Sequence, residues 1–142
     1  MKTFAALTFT FLSFCAFSQQ KIPFVPRPTI SFFLNEKNAD NRKNIVKSDT
    51  LLEVKAVLQG EQKQKMPDVT FAISEVEVAL IRNDRKIASL VLPEGKGSLA
   101  PFGMLISSGD KYQLTVRGIK FQHNGVYTDV GTGDVIKDYI IE

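Results

Sequence analysis

Residues 69–80, VTFAISEVEVAL, constrain this chain more than any other stretch. Val69, Phe71 and Ile73 alternate with small or polar residues, the two-residue period of a strand that buries one face. The apolar phase then slips by one, to Val76, Val78 and Leu80. A regular strand cannot hold both sets on one face, so the pattern predicts a bulge at Ser74-Glu75. Such an irregularity bends a strand where a sheet curves or where strands pass between the layers of a sandwich.

The rest of the chain repeats the theme. In residues 111–121, Tyr112, Leu114 and Val116 alternate before the phase moves to Ile119 and Phe121, with Gly118 at the slip. Glycine tolerates the positive φ that a bulge favours, so Gly118 is a second candidate bulge beside Ser74. Asn83-Asp84 separates residues 69–82 from a second apolar run, 86–92, and suits a tight antiparallel hairpin. Asn124-Gly125 gives the same signal after His123, with residues 126–130 pairing back. Residues 29–34, 51–58 and 135–141 complete the strand candidates, the last as an edge. The Leu, Glu, Lys, Ala and Gln content of residues 51–65 favours a helix by propensity, but the alternation of Leu52, Val54, Ala56 and Leu58 selects a strand. Residues 35–44 and 60–67 are polar and are read as connections. Pro93-Glu94-Gly95-Lys96-Gly97 is a turn; to cradle a phosphate it would need a helix N-terminus behind it. These features predict an all-β fold, a single β-sandwich of immunoglobulin-like or related form, with about 7 strands, over residues 29–142.

Ahead of it, Lys2 precedes an apolar run over residues 4–17, and Ala16-Phe17-Ser18 has the small-x-small form that a signal peptidase reads. Residues 1–18 are therefore expected to be a signal peptide cleaved before Gln19, which makes the protein periplasmic or secreted. The run falls short of the roughly 20 apolar residues that a membrane helix needs, and no later stretch reaches that length. Leu12-Ser13-Phe14-Cys15 has the outline of a lipoprotein cleavage site, but Phe14 stands where a small residue belongs. If Cys15 leaves with the leader, the mature chain has no cysteine and its stability rests on a packed core. Pro23, Pro26 and Pro28 predict that residues 19–28 run as an extended arm. The net charge of +3 falls to +2 when Lys2 is lost, with both signs interspersed, which excludes a nucleic-acid or anionic-membrane footprint.

Catalytic chemistry has little material. His123 is the one histidine, so multi-histidine metal centres are excluded. Ser107 or Ser108 with His123 and Asp129 contains the residue types of a hydrolytic triad, but such a triad is recognised by geometry, which sequence does not supply. Asp129, Asp134 and Asp138 gather near two glycines without the order of a calcium loop, and read as a solvated loop or a weak ion site. The reading assigns no catalytic, cofactor-binding or metal-binding residue and expects no cofactor. One interaction surface is a candidate: residues 101–106 are nearly all apolar but carry Pro101 and Gly103, which suits an edge exposing Phe102, Met104, Leu105 and Ile106. The competing reading has these residues close one end of the core.

A P-x-x-x-F start at Pro28–Phe32, DVTFAISEVEV over residues 68–78, the basic-turn-basic hairpin, and SGDKYQLTVRGIKF followed by HNGV stand in this order along the chain. Together they resemble the C-terminal periplasmic domain of GldM, from the gliding-motility and type IX secretion machinery. The resemblance covers roughly residues 26–130 and consists of fold-building positions. It implies a β-sandwich module that acts by protein contact in the cell envelope, in a family whose parent dimerises. The parent begins with a transmembrane helix and has several domains, while this chain carries a cleavable leader and one domain, so the parent's motor coupling is not carried over. The expected function is a non-enzymatic exported interaction domain with protein partners, a second copy among them. The alternative is a small secreted ligand-binding or hydrolytic β-domain, which would show a concave pocket with converging polar groups.

Overall fold

The computed structural model describes residues 25–142. The expected signal peptide, its cleavage point, Cys15 and the first part of the Pro-rich arm lie outside the described residues. Residues 25–28 have no regular structure, and Pro26 is buried.

Strands β1 (Thr29–Leu34), β2 (Lys37–Asn38), β3 (Asn44–Ile45) and β4 (Leu51–Val57) lead to a short helix, α1 (Gly60–Lys65). Then come β5 (Thr70–Arg82), β6 (Arg85–Pro93), β7 (Lys96–Ser98), β8 (Lys111–His123), β9 (Val126–Asp129) and β10 (Val135–Ile141). They form two sheets. The smaller has the order β2-β1-β4-β7, and the larger β3-β10-β8-β5-β6, with β9 pairing the end of β8. All pairs are antiparallel except β3 with β10. Phe32, Leu34, Leu52 and Val54 from the smaller sheet and Val76, Val78, Leu80, Leu114 and Val116 from the larger belong to one core cluster. The two inner faces pack as in a sandwich, and each such side chain contributes about 1.5–3 kcal/mol by leaving water. The domain is all-β and sandwich-like.

Among the described residues seven strands have four or more residues, against about seven expected, and three are shorter. Two of the short ones, β2 and β3, begin within the stretch 35–44 that reads as a loop. A two-residue ladder has no side-chain period, so it leaves no trace in sequence. Residues 51–65 divide: Leu51–Val57 form strand β4 as the alternation indicates, whereas Gly60–Lys65, read as a connection, form the short helix α1 that their Glu, Gln and Lys content favours. Both hairpins form where expected, with Arg82 opposite Arg85 and His123 opposite Val126. Asn83, Asp84, Asn124 and Gly125 all take the positive φ that such two-residue turns require.

The two slips differ from the one-residue insertions expected at Ser74 and Gly118. β5 pairs β8 from Thr70↔Gln122 to Ile81↔Lys111, and the offset at Ile73↔Ile119 is the same as at Glu75↔Arg117. Neither strand gains a residue on the other. Instead Ser74 and Gly118 lie opposite each other at one unpaired level, Gly118 with φ +64°, and both strands turn over together. Ile73 and Ile119 face inward on one side of that level, Val76 and Val116 on the other. The register shift of this sheet lies elsewhere, at Leu80/Ile81 against β6, where Ile87 has no opposite residue.

Residues 99–106 also depart from expectation. They form a 3-10 turn, Ala100–Phe102, with Pro101 in its first turn, and no edge strand. Proline is tolerated there because the first turn has no intrahelical partner for its missing N–H.

Between β6 and β7 the chain changes sheets. β6 ends with Pro93 opposite Glu75 in the larger sheet, Glu94 and Gly95 turn with positive φ, and β7 starts with Lys96 opposite Glu53 in the smaller. A Cβ on Gly95 would meet the Val54 carbonyl at 3.3 Å and Ile73 Cγ2 at 3.4 Å, so the crossing fits tightly between the sheets.

Candidate functional site

The expected partner surface is divided by the fold. Phe102 is 2% exposed and packs its ring 5.5 Å from that of Tyr112, so it belongs to the core and to no surface. Ile106 is half-buried against the same cluster. Met104 is fully exposed and Leu105 about half exposed, which leaves a patch of two side chains. The correction has a simple cause: a 3-10 turn has three residues per turn, so Leu99 and Phe102 project to the same side and Met104 away from it.

Arg82 anchors this segment. Its Nε and Nη2 donate to the two oxygens of Asp110 at 2.7 Å each, and Nη2 also reaches the Leu105 carbonyl at 2.7 Å and Ser107 Oγ at 2.9 Å. Asp110 accepts the Ser107 N–H at 2.8 Å as well, and its side chain is 2% exposed. The Arg82 guanidinium holds the Asp110 carboxyl below the usual carboxylate range against the opposing effect of burial. Burial, with the Asp110 charge nearby, pushes the Tyr112 hydroxyl up to about 12. This cluster is fully paired internally and serves to fix the turn at residues 107–110.

The carboxylates singled out from sequence are dispersed. Asp134 pairs with Arg117 at 3.3 Å, Asp138 with Lys111 at 3.5 Å, and Asp129 accepts the Gly131 N–H at 2.7 Å. Among the described residues no group of three His, Cys, Asp or Glu side chains is placed to hold a metal ion. Ser107 and Ser108 precede β8 and His123 ends it, about 40 Å apart along a 13-residue strand, so the structure does not assemble the triad types.

What the structure does assemble is a groove of about 600 Å³ between β4 and the first part of β5. It exists because of the crossing at Glu94-Gly95. β6 runs beside β5 only as far as Glu75, and β7 runs beside β4 only as far as Glu53. The Glu94-Gly95 turn bonds each strand one residue further, with Glu94 N–H donating to the Ser74 carbonyl at 3.2 Å and Val54 N–H to the Gly95 carbonyl at 2.8 Å; beyond Ser74 and Val54 neither strand has an outer neighbour among the described residues. Its lining includes Val54, Leu58 and Ile73, all at most 7% exposed, and half-buried Ala56 and Phe71. Glu94 stands at one end, and Lys63, Met66 and Pro67 of the α1 connection at the other.

Strand alternation shows which main-chain groups face the groove. Val54 N–H turns away from β1 to the Gly95 carbonyl at 2.8 Å, so Ala56, two residues on, turns its N–H and C=O the same way. On β8, the Ile119 carbonyl accepts from Val130 on the β9 side, while the Gly118 carbonyl faces β5 and accepts from Ser74 Oγ. Ile73↔Ile119 and Phe71↔Phe121 are therefore the non-hydrogen-bonded pairs of this ladder, and the main-chain groups of Phe71 and Ile73 point into the groove. Among the described residues no strand pairs with Ala56, Phe71 or Ile73 on that side. Two open strand edges thus flank one apolar floor.

The sequence did carry a signal for this site. β5 has 13 residues and its hairpin partner β6 has 9, so β5 must overhang. The apolar run that starts at Val69 and the Pro93 that ends its partner show that mismatch before any coordinates do.

The chain matches no protein-family model, no curated protein and no solved structure.

Proposed function

We propose that this protein is a non-enzymatic, exported interaction domain of the cell envelope that engages other proteins through open strand edges. The observation that supports the reading most is that Ala56 on β4 and Phe71 and Ile73 on β5 have no strand beside their groove-facing edges among the described residues. Unsatisfied main-chain donors and acceptors beside apolar surface are the means by which one sheet accepts a strand from another chain. Export rests on the leader pattern of residues 1–18. A place in the gliding and type IX secretion machinery rests on the GldM-like segments, and in that setting the domain works as a contact module within the envelope, with other proteins or a second copy as partner.

A photo-crosslinking side chain at Ala72, exposed beside the groove, tests the reading in cells. The expected result is a defined protein adduct from Ala72 and none from exposed positions at the other end of the domain, Ile87 beside the β5–β6 turn or Met104. Adducts of equal yield at all positions, or saturable binding of a small molecule in the groove with no protein adduct, would overturn it.

A further inference from the structure

The groove has features that specify what it accepts. Its β5 wall offers the main-chain groups of two residues, Phe71 and Ile73, against one residue, Ala56, on the β4 wall. The Ser74 carbonyl already accepts the Glu94 N–H at 3.2 Å, so the open length runs from Thr70 to Ile73 and accommodates about four residues of extended chain at roughly 3.3 Å each. Its position continues the line of β6, which leaves the sheet opposite Glu75. An arriving strand therefore meets a ladder already begun. The floor is apolar, and its ends are charged with opposite sign: Lys63 at the α1 end and Glu94 at the crossing, both exposed. Among the described residues neither charge has an ion-pair partner.

Resting on the reading of this protein as an interaction domain, we propose that the groove takes one extended segment of a partner protein. The segment adds to the Phe71 and Ile73 edge of β5, in line with β6. Alternate apolar side chains settle on the floor near Ile73 and Leu58. A carboxylate lies at the Lys63 end and a cation at the Glu94 end. Main-chain bonds supply sequence-independent affinity, and the alternate side chains with the two end charges supply selection.

Short capped peptides of alternating Val and Thr, ended by Glu and Lys, by two Glu or by two Lys, test this on the whole protein by amide hydrogen exchange. Phe71 and Ile73 amides should exchange freely without peptide and slow by about tenfold or more with the Glu/Lys peptides. The like-charged peptides should bind more weakly. In Lys63→Glu both groove ends are acidic, and the preference should move to the peptide with two lysines. Phe71→Pro removes a donor that faces the groove and spares the β8 ladder, so it should abolish protection while the fold persists. Should that variant unfold, the Lys63→Glu preference decides alone. Protection of Phe71 and Ile73 in the free protein, or equal binding of all peptides by Lys63→Glu and the wild type, would overturn the proposal. Peptide protection at the β6 or β9 edge would overturn it too, yet leave the interaction reading standing; that reading fails only by the cross-linking result above.

Discussion

Ser74 Oγ donates to the Gly118 carbonyl at 2.9 Å, across the one level at which β5 and β8 leave their ladder. The bond bridges a kink shared by both strands, and it depends on Gly118 in two ways. Its φ of +64° is strained for any residue with a Cβ, and that Cβ would overlap Ser74 Oγ and stand 2.6 Å from Ser74 Cβ.

Gly118→Ala should therefore destabilise the domain by about 1–3 kcal/mol, and Gly118→Val by more. Adding Ser74→Gly should recover the steric part and leave the cost of the backbone conformation, about 1 kcal/mol. Urea unfolding of the two single variants and the double variant measures this coupling. Strictly additive effects would show that the side chains do not meet.

Asp110 makes stability depend on acid. Its carboxyl is held below the usual range because Arg82 donates to both oxygens, so the ionised form favours the folded state. That contribution is complete above the ordinary carboxylate value of 3.8 and is lost as pH falls from there through the lower folded value. Asp110→Asn should lower the thermal midpoint at neutral pH, and its difference from the wild type should shrink below about pH 3. A difference that stays constant with pH would separate the stability from this ionisation.

Phe102 and Met104 should respond oppositely to the same charge. Phe102→Asp places a carboxylate in the core and removes a large buried ring, a loss of about 4 kcal/mol or more that should unfold the domain. Met104→Asp changes a fully exposed side chain and should stay within about 0.5 kcal/mol of the wild type. Thermal melts of the two variants separate the buried half of the segment from the exposed half.

The Tyr139 hydroxyl donates to the Ala39 carbonyl at 3.0 Å from a buried position and fastens the loop before β3 to the core. Tyr139→Phe should cost about 1 kcal/mol and speed amide exchange in residues 39–43. Unchanged exchange there would mean that other contacts hold the loop.

The strands that bury one face were legible because hydropathy is read locally: Leu52 and Val54 in β4, or Tyr112, Leu114 and Val116 in β8, report their own burial by alternation. The turns at Asn83-Asp84 and Asn124-Gly125 were legible because tolerance of positive φ belongs to the residue itself. The slips at Ser74 and Gly118 were visible too, each within its own strand. That they cancel was not, because it depends on the register between residues 44 positions apart.

The same division runs through the site. Sequence by itself determined an all-β chain with these inward residues. Only the tertiary structure decided that Phe102 turns into the core while Met104 turns out, since both are apolar and the 3-10 turn sets their directions. Only the tertiary structure placed the edges of β4 and β5 that are bare among the described residues across from each other, because the crossing at Glu94-Gly95 ends β6 beside β5 and starts β7 beside β4. A strand's pattern records which face it buries; which edge it leaves open is fixed by where the other strands end.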